Sequence, residues 1–279
     1  MSYAAFNSNA YLHHIALNTT RPLQLARFYE NTLCLEKERI SGGWLLFGGN
    51  RRILILTDTK NSLGFAGFAC QDVQSFKVLK RNFMERGIET SQDNKSLFSD
   101  KDSFFILDCD GNKIYFGLNK RSKEKDSKLH APLQHITFTS TNLDNFVQFY
   151  VDKLGFKISD KVINKEGKLT TCFMRSNQEH HTVACFLSSK SGLDHFSFEA
   201  GTWEWIKNWC DHFSKEDIAL IWGPGRHGPG NNLFAFIEDL DGNKIEISAE
   251  LEIVHDRQIK KWPHEPKTLN LWGGAIMRS

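Results

Sequence analysis

The chain has 279 residues, is 40% hydrophobic and 24% charged, and carries a formal net charge of +2. That is an ordinary globular composition, with ample core-forming residues and length for about two domains. The near balance of charge removes the electrostatic case for nucleic acid or an anionic membrane as partner, and no apolar run approaches the roughly 20 residues needed to span a bilayer.

The N-terminus, MSYAAFNSNAYLHH, lacks a basic segment followed by an apolar run, so no signal peptide is read. Cys34, Cys70, Cys109, Cys172, Cys185 and Cys210 show no CxxC spacing and lie mostly among apolar residues. Free buried thiols in a reducing cytosol, and hence a cytoplasmic location, are the simpler reading.

In chain order, the sequence repeats itself. The run Tyr11–Leu17, YLHHIAL, resembles LQHITF at 133–138, and each has the apolar alternation of a strand. Each leads into a helix pattern. Pro22 stands in a first turn, where its missing N–H costs nothing, ahead of Leu25, Phe28, Tyr29 and Leu33. In the second copy Leu143, Phe146, Val147, Tyr150 and Leu154 form the apolar face, with Gly155 placed to end the helix. Strand patterns follow at 44–47 and 53–56, and at 171–174 and 182–186. A further unit follows each. LGFAGF at 63–68 precedes a helix with Val73, Phe76, Leu79 and Phe83, and LDHFSF at 193–198 precedes one with Trp205, Ile206, Trp209 and Phe213. Both end in nearly the same hairpin text, with DCDGNKIY at 108–115 and DLDGNKIE at 239–246, where Gly and Asn suit a tight reversal.

The expected fold class is therefore α+β, with four βαβββ modules in two domains. Residues 1–120 form the first domain (modules about 11–58 and 63–118) and 131–250 the second (modules about 133–188 and 193–249). The charged stretch 121–130 reads as a solvated linker and 251–279 as an irregular C-terminal arm laying aromatics on the second half. GPGRHGPGNN at 223–232 reads as a long turn. It is not a phosphate cradle, because it lacks the Lys-Ser/Thr pair and precedes a strand rather than a helix.

The halves differ at matching points. The second has His135, His195 and Glu246 where the first has His14, Phe65 and Tyr115. Two imidazoles and a carboxylate can hold a divalent metal on one face and leave the opposite positions open, a donor set suited to oxygen-activating non-haem Fe(II). Each residue alone reads as a satisfied core histidine or an edge carboxylate. Their coexistence at equivalent ends of repeated units favours metal, and His14, without partners, reads as structural. One of His180 and His181 should point inward by strand alternation. His227 stands on the glycine-rich loop, and a neutral imidazole beside a metal suits acid–base work near neutral pH. Surface placement is the simpler reading for His180, His212, His255 and His264. Arg226 reads equally as a partner for a substrate anion or for a neighbouring carboxylate.

These motifs resemble the vicinal oxygen chelate (glyoxalase/bleomycin resistance) superfamily, and within it the type I extradiol, catechol 2,3-dioxygenase-like, ring-cleavage dioxygenases. LQHITF, EHHT, LDHFSFE, GPGRHGPGNNLFAF and DLDGNKIE carry the resemblance, over roughly Tyr11 to Glu250. It implies two domains, each an open mixed-sheet barrel around a cavity, with Fe(II), or occasionally Mn(II), in the second. His135, His195 and Glu246 match the ligand positions. His181 matches the histidine that handles protons around bound oxygen, and His227 the one near a catechol oxygen. Phe173, Phe186, Phe234 and Trp222 are candidate walls, and Arg226 a candidate substrate contact. The implied reaction is extradiol (meta) cleavage of a catechol-type diol with O2 to a muconic semialdehyde-type product, by an enzyme that is often a homo-oligomer. Phe236 departs from the pattern, which usually has a tyrosine there to bind the ionised catechol oxygen. That leaves weaker activity or a different substrate open. Competing expectations on the same fold are a glyoxalase-like metal-dependent lyase or isomerase, which generally uses more carboxylate ligands, and a non-enzymatic small-molecule binder.

Overall fold

The computed structural model describes residues 3–119 and 128–277, so most of the linker read at 121–130 lies outside the described residues. The first half runs α1 (Ala4–Asn7), β1 (Tyr11–Thr19), α2 (Pro22–Thr32), β2 (Glu36–Ile40), β3 (Gly43–Gly48), β4 (Arg51–Thr57), β5 (Ser62–Cys70), α3 (Val73–Glu85), β6 (Ser103–Leu107) and β7 (Lys113–Leu118). The second runs β8 (Leu133–Ser140), α4 (Leu143–Gln148, continued as a π-helical segment over Phe149–Leu154), β9 (Lys157–Ile163), β10 (Leu169–Arg175), β11 (Val183–Leu187), β12 (Gly192–Glu199), α5 (Trp203–Lys215), β13 (Trp222–Arg226), β14 (Leu233–Glu238), β15 (Lys244–Ala249), β16 (Lys260–Pro263) and α6 (Pro266–Leu269).

Local signals set the helix boundaries. Pro22 opens α2, and the side chains of Asp72, Asn142 and Thr202 accept backbone N–H groups in the first turns of α3, α4 and α5. Gly155, at φ 79°, turns the chain out of the helical segment after Leu154.

Two mixed sheets result. The first has seven strands in the order β2-β3-β4-β1-β5-β7-β6, and the second nine in the order β13-β14-β15-β12-β8-β11-β10-β9-β16. Each is built about a central antiparallel pair, β1 with β5 and β12 with β8, flanked by strands that run parallel to them. The repeat read in the sequence is thus a repeat of topology.

Three expectations are corrected. The second module has two strands after its helix rather than three. The polar run ETSQDNKS at 89–96 offers no apolar alternation, and only Ser91 makes an isolated bridge, to Phe105. The loop read at 223–232 begins as a strand. Trp222–Arg226 is the edge strand β13, where Pro224 is tolerated because one side of the strand makes no ladder bonds. Gly225 lets that edge lie against the Phe234 ring, which a Cβ would meet at 2.4 Å. The tail is not wholly irregular, since β16 extends the second sheet parallel to β9 and Trp262 packs on Val162, Phe173 and Ala184.

One hydrophobic core crosses both halves, with Phe68 against Phe156 and Tyr29 against Phe196. The repeated residues also lock the halves reciprocally. Tyr29 of α2 donates its hydroxyl to Asp239 at 2.7 Å, and Tyr150 donates to Asp108 at 3.1 Å. Both carboxylates sit in the duplicated DGNK hairpins, where each also accepts from its own turn: Asp108 from Asn112 and Asp239 from Asn243. Each tyrosine of one half therefore satisfies a buried acid of the other. A hydrogen bond to a buried charged group contributes about 1.5–3 kcal/mol. Tyr29→Phe and Tyr150→Phe are each expected to destabilise the chain by about that amount in urea unfolding, and additively, because the two pairs share no partner. Losses below about 0.5 kcal/mol for both would show that the lock contributes nothing.

Candidate metal centre and its cavity

The register of three central strands assembles the site. Ser197 of β12 pairs with His135 of β8 on one side and with Glu246 of β15 on the other. Paired residues share a face, and His195, two residues before Ser197, shares it too. His135, His195 and Glu246 therefore project together from neighbouring strands, and all three are buried. The same frame in the first half pairs Gly67 with His14 and with Tyr115, with Phe65 two residues earlier. There His14 Nδ1 meets His13 Nδ1 at 2.8 Å and Nε2 accepts the Leu97 N–H at 3.3 Å, so both nitrogens are engaged by protein.

Three facing atoms form a small triangle. His135 Nε2 is 3.1 Å and His195 Nε2 3.3 Å from Glu246 Oε2, and the two nitrogens are 3.4 Å apart. Ligand atoms at right angles on one ion, with bonds of about 2.1 Å, would lie about 3 Å apart. The triangle fits one face of such an ion, and among the described residues it is the single His/Cys/Asp/Glu group close enough to hold one.

The remaining valences are spoken for. His135 Nδ1 lies 2.5 Å from Gln134 Oε1 and His195 Nδ1 2.6 Å from Asp194 Oδ1. Both oxygens accept, so each Nδ1 carries the proton and each Nε2 presents a lone pair. Asn232 Nδ2 donates to the other oxygen of Glu246 at 3.2 Å. Burial opposes the charge on Glu246, but the facing imidazoles of His135, His195 and His227 hold the carboxyl well below its usual range. Burial holds His181 well below the ordinary imidazole value, so it is neutral. Gln134, Asp194 and Asn232 were not singled out from sequence. The available signal for the first two is a polar residue before the histidine in both LQH and LDH.

Above the triangle lies a cavity lined by Phe173, Phe186, Trp222, Phe236, Leu269 and Pro229 besides the histidines, Thr137 and Glu246. His181 lines it with its ring 4.2 Å from that of His135. His227 also lines it. Its Nδ1 donates to the Leu269 carbonyl at 2.5 Å, its Nε2 stands 3.6 Å from Glu246, and its ring stacks on Phe234. Phe234 is thus a backing residue and not a wall. Phe236 packs between His195 and Trp222.

Other expectations are revised. Arg226 does not line the cavity. Its guanidinium is bound to Glu250 at 2.8 Å and to the Asn231 carbonyl at 2.7 Å, the neighbouring-carboxylate alternative. His180 is fully buried rather than on the surface, because it faces Asp160 at 3.1 Å. His212 and His264 are half-buried, engaging Thr32 O and Thr170 Oγ1, and His255 is exposed. Both His180 and His181 precede β11.

Residues 133–247, which hold all three facing residues, match the profile of the Glyoxalase/Bleomycin resistance protein/Dioxygenase superfamily. Metapyrocatechase 2 of Cupriavidus necator is 21% identical over 227 residues, covering 73% of this chain and 68% of that protein. An extradiol ring-cleaving dioxygenase from B. fuscum superposes with a TM-score of 0.82 at 19% identity, over 95% of this chain and 80% of that one. The Mn(II)-bound glyoxalase from Novosphingobium aromaticivorans superposes with a TM-score of 0.81 at 20% identity, over 96% and 92%. Over residues 133–247 the chain is thus similar in sequence to the glyoxalase/bleomycin resistance protein/dioxygenase superfamily, and its fold is shared with these solved structures.

Proposed function

We propose that the chain is an extradiol dioxygenase that cleaves a catechol-type diol with O2 at a mononuclear metal, Fe(II) or Mn(II), held by His135, His195 and Glu246. The observation that carries this reading is the facial His/His/Glu triangle at the floor of an apolar, aromatic cavity, with a neutral histidine beside it. The fold alone does not choose, because a glyoxalase shares it.

A divalent ion held by His135, His195 and Glu246 would supply Lewis-acid chemistry toward the diol and O2. The protein's own groups do the rest. Phe173, Phe186, Trp222 and Phe236 form an apolar slot that receives an arene and excludes water. His181 is placed to take the proton leaving a catechol hydroxyl and to return one later, which suits a neutral imidazole. His227 Nε2 is the second ring nitrogen on that side. Phe236 offers no hydroxyl, so His181 and His227 carry the polar contacts that a tyrosine would share.

Among the described residues the lining contains no lysine or arginine, and Arg226 is held by Glu250. An anionic substituent would enter the slot without a partner, at a desolvation cost of several kcal/mol. The substrate class is therefore an uncharged, alkyl- or aryl-substituted catechol. In an oxygen-electrode assay of the Fe(II)-loaded protein, such catechols are expected to give kcat/KM at least roughly a hundredfold above carboxylated ones, with a yellow ring-fission product. No oxygen uptake with any catechol would turn the reading toward a lyase or isomerase.

His195→Ala is expected to abolish both metal retention, read by elemental analysis, and turnover, because two donors remain where three close a face. His14→Ala is expected to lower stability and keep turnover per folded molecule. A fatal His14 variant beside an active His195 variant would assign the chemistry to the wrong half.

A further inference from the structure

Behind the cavity wall lies a buried chain of polar side chains of which the reading above uses only His181. His181 Nδ1 and His180 Nδ1 are 3.0 Å apart, and His180 Nε2 is 3.1 Å from Asp160 Oδ2. Asp160, on β9, is buried and held from three sides. Arg257 donates to Oδ1 at 2.8 Å, the Trp262 indole N–H donates to Oδ2 at 2.8 Å, and the Lys260 N–H approaches Oδ1 at 3.4 Å. All three come from the tail. Arg257 is itself clamped by both oxygens of Glu252, and β16 lies in register with β9, Lys260 beside Asp160.

We propose that Asp160, acting through His180, is a positioning residue that fixes the tautomer of His181 and leaves His181 Nε2 as a bare proton acceptor toward the cavity. The logic is donor counting. An ionised carboxylate has no proton to offer, so the nitrogen facing it, His180 Nε2, carries the hydrogen. The approach is close but not in line, and the carboxylate's charge selects the tautomer more than a hydrogen bond does. Arg257 already supplies the countercharge to Asp160, and in the tautomer with its hydrogen on Nε2 the Nδ1 of His180 is bare. The short contact between the two Nδ1 atoms then requires His181 to donate. With Nδ1 protonated, Nε2 of His181 keeps its lone pair. A proton leaving a catechol hydroxyl passes to that Nε2, and the resulting imidazolium faces, through His180, the charge of Asp160. The catalytic use of this tautomer rests on the dioxygenase reading, whereas the tautomer itself does not.

Long-range proton–nitrogen NMR correlation spectra of the histidine rings, on the full chain loaded with Zn(II) as a diamagnetic ion, read both tautomers without turnover. The expected result is His180 in the Nε2–H form and His181 in the Nδ1–H form. Asp160→Asn is expected to spread His181 over both forms with Zn(II) content unchanged. In the Fe(II)-loaded enzyme the same variant should lower kcat roughly tenfold or more, with KM within about twofold. An Nε2–H ring at His181 in the unaltered protein overturns the proposal, and so does an Asp160→Asn spectrum identical to it. A wrong dioxygenase reading shows itself differently, as the expected tautomers in a protein that consumes no O2 with any catechol.

Discussion

The structure depends on one electrostatic constraint: a carboxylate, Glu246, is buried and aimed at two imidazole nitrogens within 3.3 Å. An isolated buried carboxylate is expensive by several kcal/mol. Here the charge is one corner of a three-donor triangle and is supported by Asn232, so a divalent ion would complete the arrangement. Gln134 and Asp194 then set the histidine tautomers that such an ion needs. The row His135–Ser197–Glu246 across β8, β12 and β15 is held by backbone ladders, which makes the triangle rigid.

Duplication supplies the scaffold and then diverges at the same frame. In the first half Phe65 and Tyr115 fill the places of His195 and Glu246. The Tyr115 hydroxyl is turned to Asp93, and both nitrogens of His14 are engaged by protein. That half is a packed partner, tied to the second through Tyr29–Asp239 and Tyr150–Asp108. The tail completes the second half by holding Asp160, so a segment with no obvious motif acts on the wall of the cavity.

The sequence was most informative where chemistry is local or repeated. The DGNK hairpins, the helix faces and the three facing residues could be read because the second copy lays a template on the first. Of the walls that the resemblance offered, Trp222, Phe173 and Phe186 line the cavity, whereas Phe234 backs His227. What could not be read depends on long-range pairing. Nothing near Arg226 in the chain says that Glu250 takes its guanidinium, and nothing near His180 says that Asp160 faces it or that Trp262 holds Asp160. β13 was masked by its glycines and proline, because edge strands tolerate residues that central strands exclude.

The central claim is that His135, His195 and Glu246 hold one divalent ion. Anomalous diffraction at the iron edge, from crystals grown anaerobically with Fe(II), tests it most directly. The expected result is a single strong peak about 2.1 Å from Nε2 of both histidines and from a Glu246 oxygen. A peak elsewhere, or none between these side chains at full iron loading, would contradict it.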